Sequence, residues 1–157
     1  LDLAFQYDHK VIIEAYIVGQ EIEVAVLGNQ EPQASIPGEI IPSRDFYSYQ
    51  AKYLDNQSET LIPARLDQDV IKKVQALALE AFKALDCIGM ARVDFFVTAG
   101  NDIYINEINT IPGFTSISMY PKMWGHSGIS YPDLLDKLIQ FGFEEYGRTS
   151  SLLKIMQ

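Results

Sequence analysis

The chain has 157 residues, a formal net charge of −9, 48% hydrophobic residues and 21% charged residues. That balance suits a globular chain with a sizeable core; it argues against disorder, a general nucleic-acid surface and an anionic membrane partner. A single cysteine, Cys87, excludes an intrachain disulfide, and no apolar stretch reaches membrane-spanning length. With no signal-peptide pattern either, the expected setting is soluble, reducing and cytoplasmic.

Leu1 to Asp8 reads as the end of an amphipathic helix, with apolar Leu1, Leu3, Ala4 and Phe5. No initiator methionine precedes it, so the chain is expected to be a piece of something longer. Val11 to Ile17 is rich in β-branched and aromatic residues and predicts a strand buried on both faces. Val18-Gly19-Gln20 breaks it. Glu21 to Leu27 alternates and predicts a second strand, closed by Gly28-Asn29. Gln33 to Ile41 predicts a third, an edge or bulged strand because Pro37-Gly38 lies inside it. From Pro42 to Pro63 the chain is polar and carries Arg44, Tyr47, Tyr49, Lys52 and Tyr53. Ordered loops of that length are usually functional lids.

Asp67 to Leu85 is the clearest helix, with Val70, Val74, Leu77, Ala78, Ala81, Phe82 and Leu85 at helical spacing. Asp67 and Asp69 suit its positive N-terminal end. Cys87 sits in an apolar run and reads as a core residue rather than a nucleophile. A hairpin follows, then a loop from Pro112-Gly113 through Thr115, Ser116 and Ser118. Ser130-Tyr131-Pro132-Asp133 has capping-box form and predicts a last helix from Pro132 to Tyr146. The predicted fold class is α+β, mostly antiparallel strands with a few helices on one side.

The hairpin carries the strongest chemical signal. Residues i and i+2 of a strand share a face, so Arg92 and Asp94 point together, as do Glu107 and Asn109. If Ala99-Gly100-Asn101-Asp102 forms the loop, Val97 pairs with Tyr104, Asp94 with Glu107 and Arg92 with Asn109. Two facing carboxylates repel unless a positive charge lies between them. Asp94, Glu107 and Asn109 offer only oxygen, while His9 and His126 lack partners at zinc-like spacing, so magnesium or manganese is favoured. The competing reading is a solvated hairpin with its acids in water.

Four other signals are each open in the same way. The Gly113 N–H serves an oxyanion or a plain turn. Ser116 and Ser118 bind a carboxylate or cap a helix. Glu14 and Glu21 flank a break that can present backbone to a planar base and a carboxylate to sugar hydroxyls; alternatively Glu21 and Glu23 are the wet face of a strand. Lys52 contacts a phosphate or is simply solvated.

Taken together, several runs resemble the D-alanine–D-alanine ligase family of the ATP-grasp superfamily. They are Ile13-Glu14, Gly19-Gln20-Glu21, Tyr49-Gln50-Ala51-Lys52-Tyr53, Ala91-Arg92-Val93-Asp94 and Asn106 to Ser116, with Tyr120-Pro121-Lys122-Met123-Trp124 after them. The Glu-x-Asn-Thr-x-Pro-Gly-x-Thr run is the most specific. The resemblance implies an ATP-grasp C-terminal subdomain over residues 21–157, a mostly antiparallel sheet flanked by helices. Residues 1–20 would end the central subdomain, and the N-terminal domain would be absent.

The resemblance also implies an activity: ATP-dependent joining of two D-alanines through an acyl phosphate, for peptidoglycan precursors. Glu14 would accept from the adenine amino group, backbone at Ala15 and Ile17 would frame the ring, and Glu21 would bind the ribose. Asp94, Glu107 and Asn109 would hold two magnesium or manganese ions. Arg92 and the Gly113 N–H would stabilise the oxyanion, and Ser118 with the Met119 backbone the second substrate's carboxylate. Lys52 and Tyr53 would belong to a lid that excludes water. Tyr53 matches dipeptide-forming members rather than D-lactate ligases, whereas Ala15 departs from members with lysine there. D-alanine and ATP would be the partners of a homodimeric full enzyme, without nucleic acid or membrane. The family's phosphate loop, nucleotide lysines and first-substrate site would lie upstream of Leu1, so this chain alone is expected to have little or no activity. The alternatives are a D-alanine–D-lactate ligase, another ATP-grasp carboxylate–amine ligase, or a non-catalytic nucleotide-binding fragment.

Overall fold

The computed structural model describes residues 1–41, 59–115 and 117–153. The predicted lid residues Lys52 and Tyr53, and Ser116, lie outside the described residues.

The centre is β1 (Gln20–Gly28), whose apolar residues from Val24 onward are buried without a break. A strand covered on both faces needs such a run. The sheet is antiparallel in the order β4 (Glu59–Leu61), β3 (Gly38–Ile41), β1, β5 (Gly89–Val97) and β6 (Ile103–Asn109). A two-residue strand β2 (Gln33–Ala34) also pairs with β1. The predicted third strand is thus β2 and β3 with a gap at Ser35-Ile36-Pro37. Proline cannot donate to a ladder, and side chains replace the missing bonds. Ala25 N–H donates to Ser35 Oγ at 3.0 Å, and Ile36 N–H to Ser127 Oγ at 2.8 Å.

On one face, Ile22, Val24 and Val26 of β1 join Ala91, Val93, Phe95 and Val97 of β5. Helix α1 (Gln68–Ala84) covers them with Val70, Val74, Ala78 and Phe82, spaced four apart so that they stack on one stripe. Full burial of each large side chain there contributes roughly 1.5–3 kcal/mol. On the other face, Ala25 and Leu27 meet α2 (Met119–His126) and α3 (Tyr131–Leu153) through Met119, Tyr120, Met123, Trp124 and Leu134. Helices therefore lie on both faces, not on one as predicted. Buried Tyr120 donates its hydroxyl to the Val26 carbonyl at 2.9 Å, locking α2 to β1.

Three local predictions need correction. Val11 to Ile17 forms no strand, and Ile12, Ile13 and Tyr16 are 77–87% exposed. A strand needs a neighbour for its N–H and C=O groups, and no described strand pairs with this segment. The first residues make only a 3₁₀ turn, Ala4–Gln6, with no side-chain cap and no buried residue, so an amphipathic face has nothing to rest on. The loop after Pro112 contains an unforeseen helix, α2, while α3 runs past Tyr146 through Gly147 to Leu153. At the predicted capping box, Asp133 N–H donates to Ser130 Oγ at 3.3 Å, and the Asp133 carboxylate accepts from the Ser130 hydroxyl at 2.5 Å. Cys87 is half-buried against the α1 side of the core, and burial followed by the charge of Asp86 pushes its thiol pKa up.

At the start of the sheet, Glu39 is 2% exposed and held by four donors. Arg65 donates from Nη2 at 2.6 Å, Nε at 3.0 Å and its backbone N–H at 3.1 Å, and Gln20 from Nε2 at 3.1 Å. This ties β3 to the chain after β4 and to the first residue of β1.

Candidate active site

The face covered by α2 and α3 changes character along β1. Its apolar contacts end at Ala25, and beyond them charged residues appear among the pairs. Arg92 lies opposite Ala25, Asp94 opposite Glu23, and Phe96 opposite Glu21. On the other side of β5, Asp94 faces Glu107 and Arg92 faces Asn109. The strand alternation that buries Val93 and Phe95 against α1 turns Arg92 and Asp94 to this face. A cavity of about 210 Å³ opens there, lined in part by Glu21, Glu23, Asp94, Asn106, Glu107 and Ile40.

The predicted pairing at the site is correct, although the predicted turn is not. Val97 pairs with Ile103 rather than Tyr104, and Phe95 with Ile105. The loop therefore includes Thr98, whose N–H donates to the Asp102 carbonyl at 3.0 Å, with Asn101 at φ 64°. A bulge at Asn106, between the Phe95 and Asp94 pairs, then shifts the register by one residue and sets Glu107 against Asp94. Without it, alternation would carry Glu107 to the opposite face.

Arg92 is the electrostatic centre. Its Nε donates to Asp94 Oδ1 and its Nη2 to Asp94 Oδ2, each at 2.7 Å, a bidentate pair. Its Nε also lies 3.4 Å from Glu23 Oε1. Burial disfavours the guanidinium charge, but the Asp94 hydrogen bond and the charges of Glu23, Asp94 and Glu107 outweigh it and raise the Arg92 pKa.

Past β6, Asn109 Oδ1 accepts the Ile111 N–H at 3.1 Å, turning the chain toward Gly113. Ser118 Oγ accepts the Thr115 N–H at 3.0 Å and lies 2.9 Å from Thr115 Oγ1, so Ser118 does not cap α2 with its side chain. Gly113 is part of this turn: a Cβ there would stand 3.0 Å from Ser118 Oγ. Glu21 lines the cavity, whereas exposed Glu14 and Ala15 and half-exposed Ile17 lie on the irregular stretch before β1 and outside the lining.

Sequence reasoning missed Glu23 and Asn106. Glu23 shares the i, i+2 face of Glu21, a signal that also fits a solvated strand; the bulge at Asn106 has no local signature. The donor set Asp94, Glu107 and Asn109 is all oxygen, on one sheet face beside a cavity, and so fits a hard divalent cation in chemistry. Among the described residues no three His, Cys, Asp or Glu side chains converge as a metal cluster. A cation held here would share the Asp94 carboxylate with the Arg92 guanidinium.

The family model described as "D-ala D-ala ligase C-terminus" matches residues 1–140. A D-alanine–D-alanine ligase of Oceanobacillus iheyensis is 57% identical over 150 residues, covering 95% of this chain and 41% of the relative. The solved ligase of Coxiella burnetii aligns with a TM-score of 0.85 at 46% identity, covering 98% of this chain and 40% of that one. The VanG D-Ala:D-Ser ligase of Enterococcus faecalis aligns with a TM-score of 0.79 at 44% identity, covering 89% of this chain and 41% of that one. The chain thus spans about two-fifths of the length of the relatives it matches, 41% in the first.

Proposed function

We propose a function from one premise: this chain belongs to the D-alanine–D-alanine ligase family, as C-terminal sequence of it. The full-length protein joins two D-alanines at the expense of ATP, forming an acyl phosphate and then D-alanyl-D-alanine for peptidoglycan precursors. Residues 1–20 close the central subdomain and residues 21–157 form the C-terminal one. The full-length protein works in the cytoplasm as a homodimer. One observation carries the reading: Asp94 faces Glu107 and Arg92 faces Asn109 on a sheet face that also bears Glu21.

In this reading Glu21 accepts the ribose hydroxyls, and Glu14 with the backbone of Ala15 and Ile17 holds the adenine. Asp94, Glu107 and Asn109 would hold two magnesium ions, which would supply charge neutralisation for the transferring phosphoryl group. Arg92 and the Gly113 N–H stabilise the oxyanion as the second amine attacks, because donors already aimed at a developing charge need no reorganisation. Ser118 and the Met119 backbone orient that substrate's carboxylate, next to Gly113. For Lys52 and Tyr53, which lie outside the described residues, the role proposed is to keep water from the acyl phosphate.

The likeness to a D-Ala:D-Ser ligase favours a second reading of the acceptor: a hydroxyl-bearing amino acid in place of the second D-alanine. The test gives the full-length protein ATP and D-alanine, with D-alanine, D-serine or D-lactate as acceptor, and identifies products by mass. D-alanyl-D-alanine as the main product supports the proposal; D-alanyl-D-serine as the main product moves it to the second reading. ATP turnover without any ligated product refutes both.

A further inference from the structure

Asp94 has two claims on it. In the structure both its oxygens accept from Arg92 at 2.7 Å, while the proposed reaction needs the same carboxylate for a cation. Each oxygen keeps a second lone pair, but a cation on Asp94 draws on the same carboxylate charge as Arg92 and so loosens the bidentate grip. The guanidinium left behind is only 15% exposed, too little for water to replace what it loses. Stranding a buried charged donor costs more than the hydrogen bond contributed when made.

Glu23 is placed to prevent that. It sits beside Asp94 on the neighbouring strand, 12% exposed, with Oε1 already 3.4 Å from Arg92 Nε. Glu107 occupies the opposite side of Asp94. The row across the sheet is thus Glu23, Asp94, Glu107, with Arg92 one pair along and within reach of the first two. The contact that Glu23 makes is with the guanidinium, which points to holding Arg92 rather than a cation.

We propose that Glu23 is a positioning residue, which takes over the Arg92 guanidinium when Asp94 turns to a cation and keeps it aimed at the reacting carbonyl. This rests on the ligase reading above. Two consequences follow. Glu23 makes Asp94 easier to release, and it keeps Arg92 from swinging away once released.

The test uses the full-length protein with Glu23→Met, which keeps the volume and removes the acceptor, and Glu23→Gln, which keeps an acceptor and removes the charge. Mn²⁺ alone is titrated by electron paramagnetic resonance, and kcat and KM are measured with ATP and D-alanine. Outer-shell partners of this kind are worth about 10–100-fold, so Glu23→Met is expected to lose about tenfold or more in both Mn²⁺ affinity and kcat, with KM for ATP little changed. Glu23→Gln is expected to recover most of the kcat. Wild-type Mn²⁺ affinity and kcat in Glu23→Met overturn the proposal. So do equal losses in the two variants, which mean charge alone, and a rise confined to KM for ATP, which means a nucleotide contact.

Should Glu23→Met fail to fold, the Arg92 Nε–H resonance decides. Its protection from exchange should survive Mg²⁺ addition in the wild type and in Glu23→Gln, which keeps the acceptor, and fall in Glu23→Ala, which removes it; lost protection in the wild type, or equal protection in Glu23→Ala, overturns the proposal. If the wild type makes no ligated product, the ligase reading fails, and the Mn²⁺ and Arg92 measurements still judge Glu23 separately.

Discussion

Replacing Glu39 by glutamine should destabilise the 157-residue chain by roughly 2 kcal/mol at neutral pH and by less than half of that at pH 3. The Arg65 hydrogen bond acts against burial, and with the Gln20 and Arg65 backbone bonds it holds the Glu39 carboxyl at about 2, against 4.5 ordinarily. A gap of that size corresponds to about 3 kcal/mol. Arg65 is 62% exposed, so water screens the pair and roughly 2 kcal/mol is the better figure. The folded pKa lies below the unfolded one, so the stabilisation is complete above about pH 4.5 and is lost as the pH falls toward 2. Urea unfolding followed by the fluorescence of buried Trp124, at pH 7 and pH 3, reads the difference directly. A loss of equal size at both pH values, or none at pH 7, would refute the reasoning.

Tyr120→Phe leaves the Val26 carbonyl without its buried donor and should cost about 1–2 kcal/mol in the same unfolding assay, with the fold retained. The 157-residue chain purified alone should form no detectable D-alanyl-D-alanine from ATP and D-alanine, since it spans 41% of a relative that bears that activity in its name. Steady synthesis by this chain would show that the rest of the relatives' length is dispensable.

Much of the candidate site was legible because alternation and pairing are local rules. Arg92 and Asp94 two apart, and Glu107 and Asn109 two apart, fix which side chains share a face. The facing of Asp94 and Glu107 was reached through a turn misplaced by one residue, and the Asn106 bulge compensates that error. Bulges follow from how a strand meets its neighbours, which no window of sequence displays. The failure at Val11 to Ile17 has the same root: β propensity describes a surface ready to pair and says nothing about whether a partner is there. Helix α1 was read correctly because Val70, Val74, Ala78 and Phe82 repeat over several turns. Helix α2 spans only Met119–His126, too short for periodicity to stand out. Its cue, Ser118 followed by Pro121 in the first turn, fits a loop equally well. Glu23 was passed over because an acid alternating with another acid looks like a wet face. Only the pairing with β5 brings it beside Arg92.

The central claim is that the acidic face of β1, β5 and β6 carries out phosphoryl transfer. The most direct measurement is D-alanine-dependent ADP release by the full-length protein carrying Asp94→Asn or Glu107→Gln, beside the wild type. If these carboxylates hold the charge-neutralising cations, each variant should stay folded and lose on the order of 10³-fold or more in kcat. Folded variants that keep kcat within about tenfold of the wild type would contradict the account and leave Asp94 as the structural partner of Arg92.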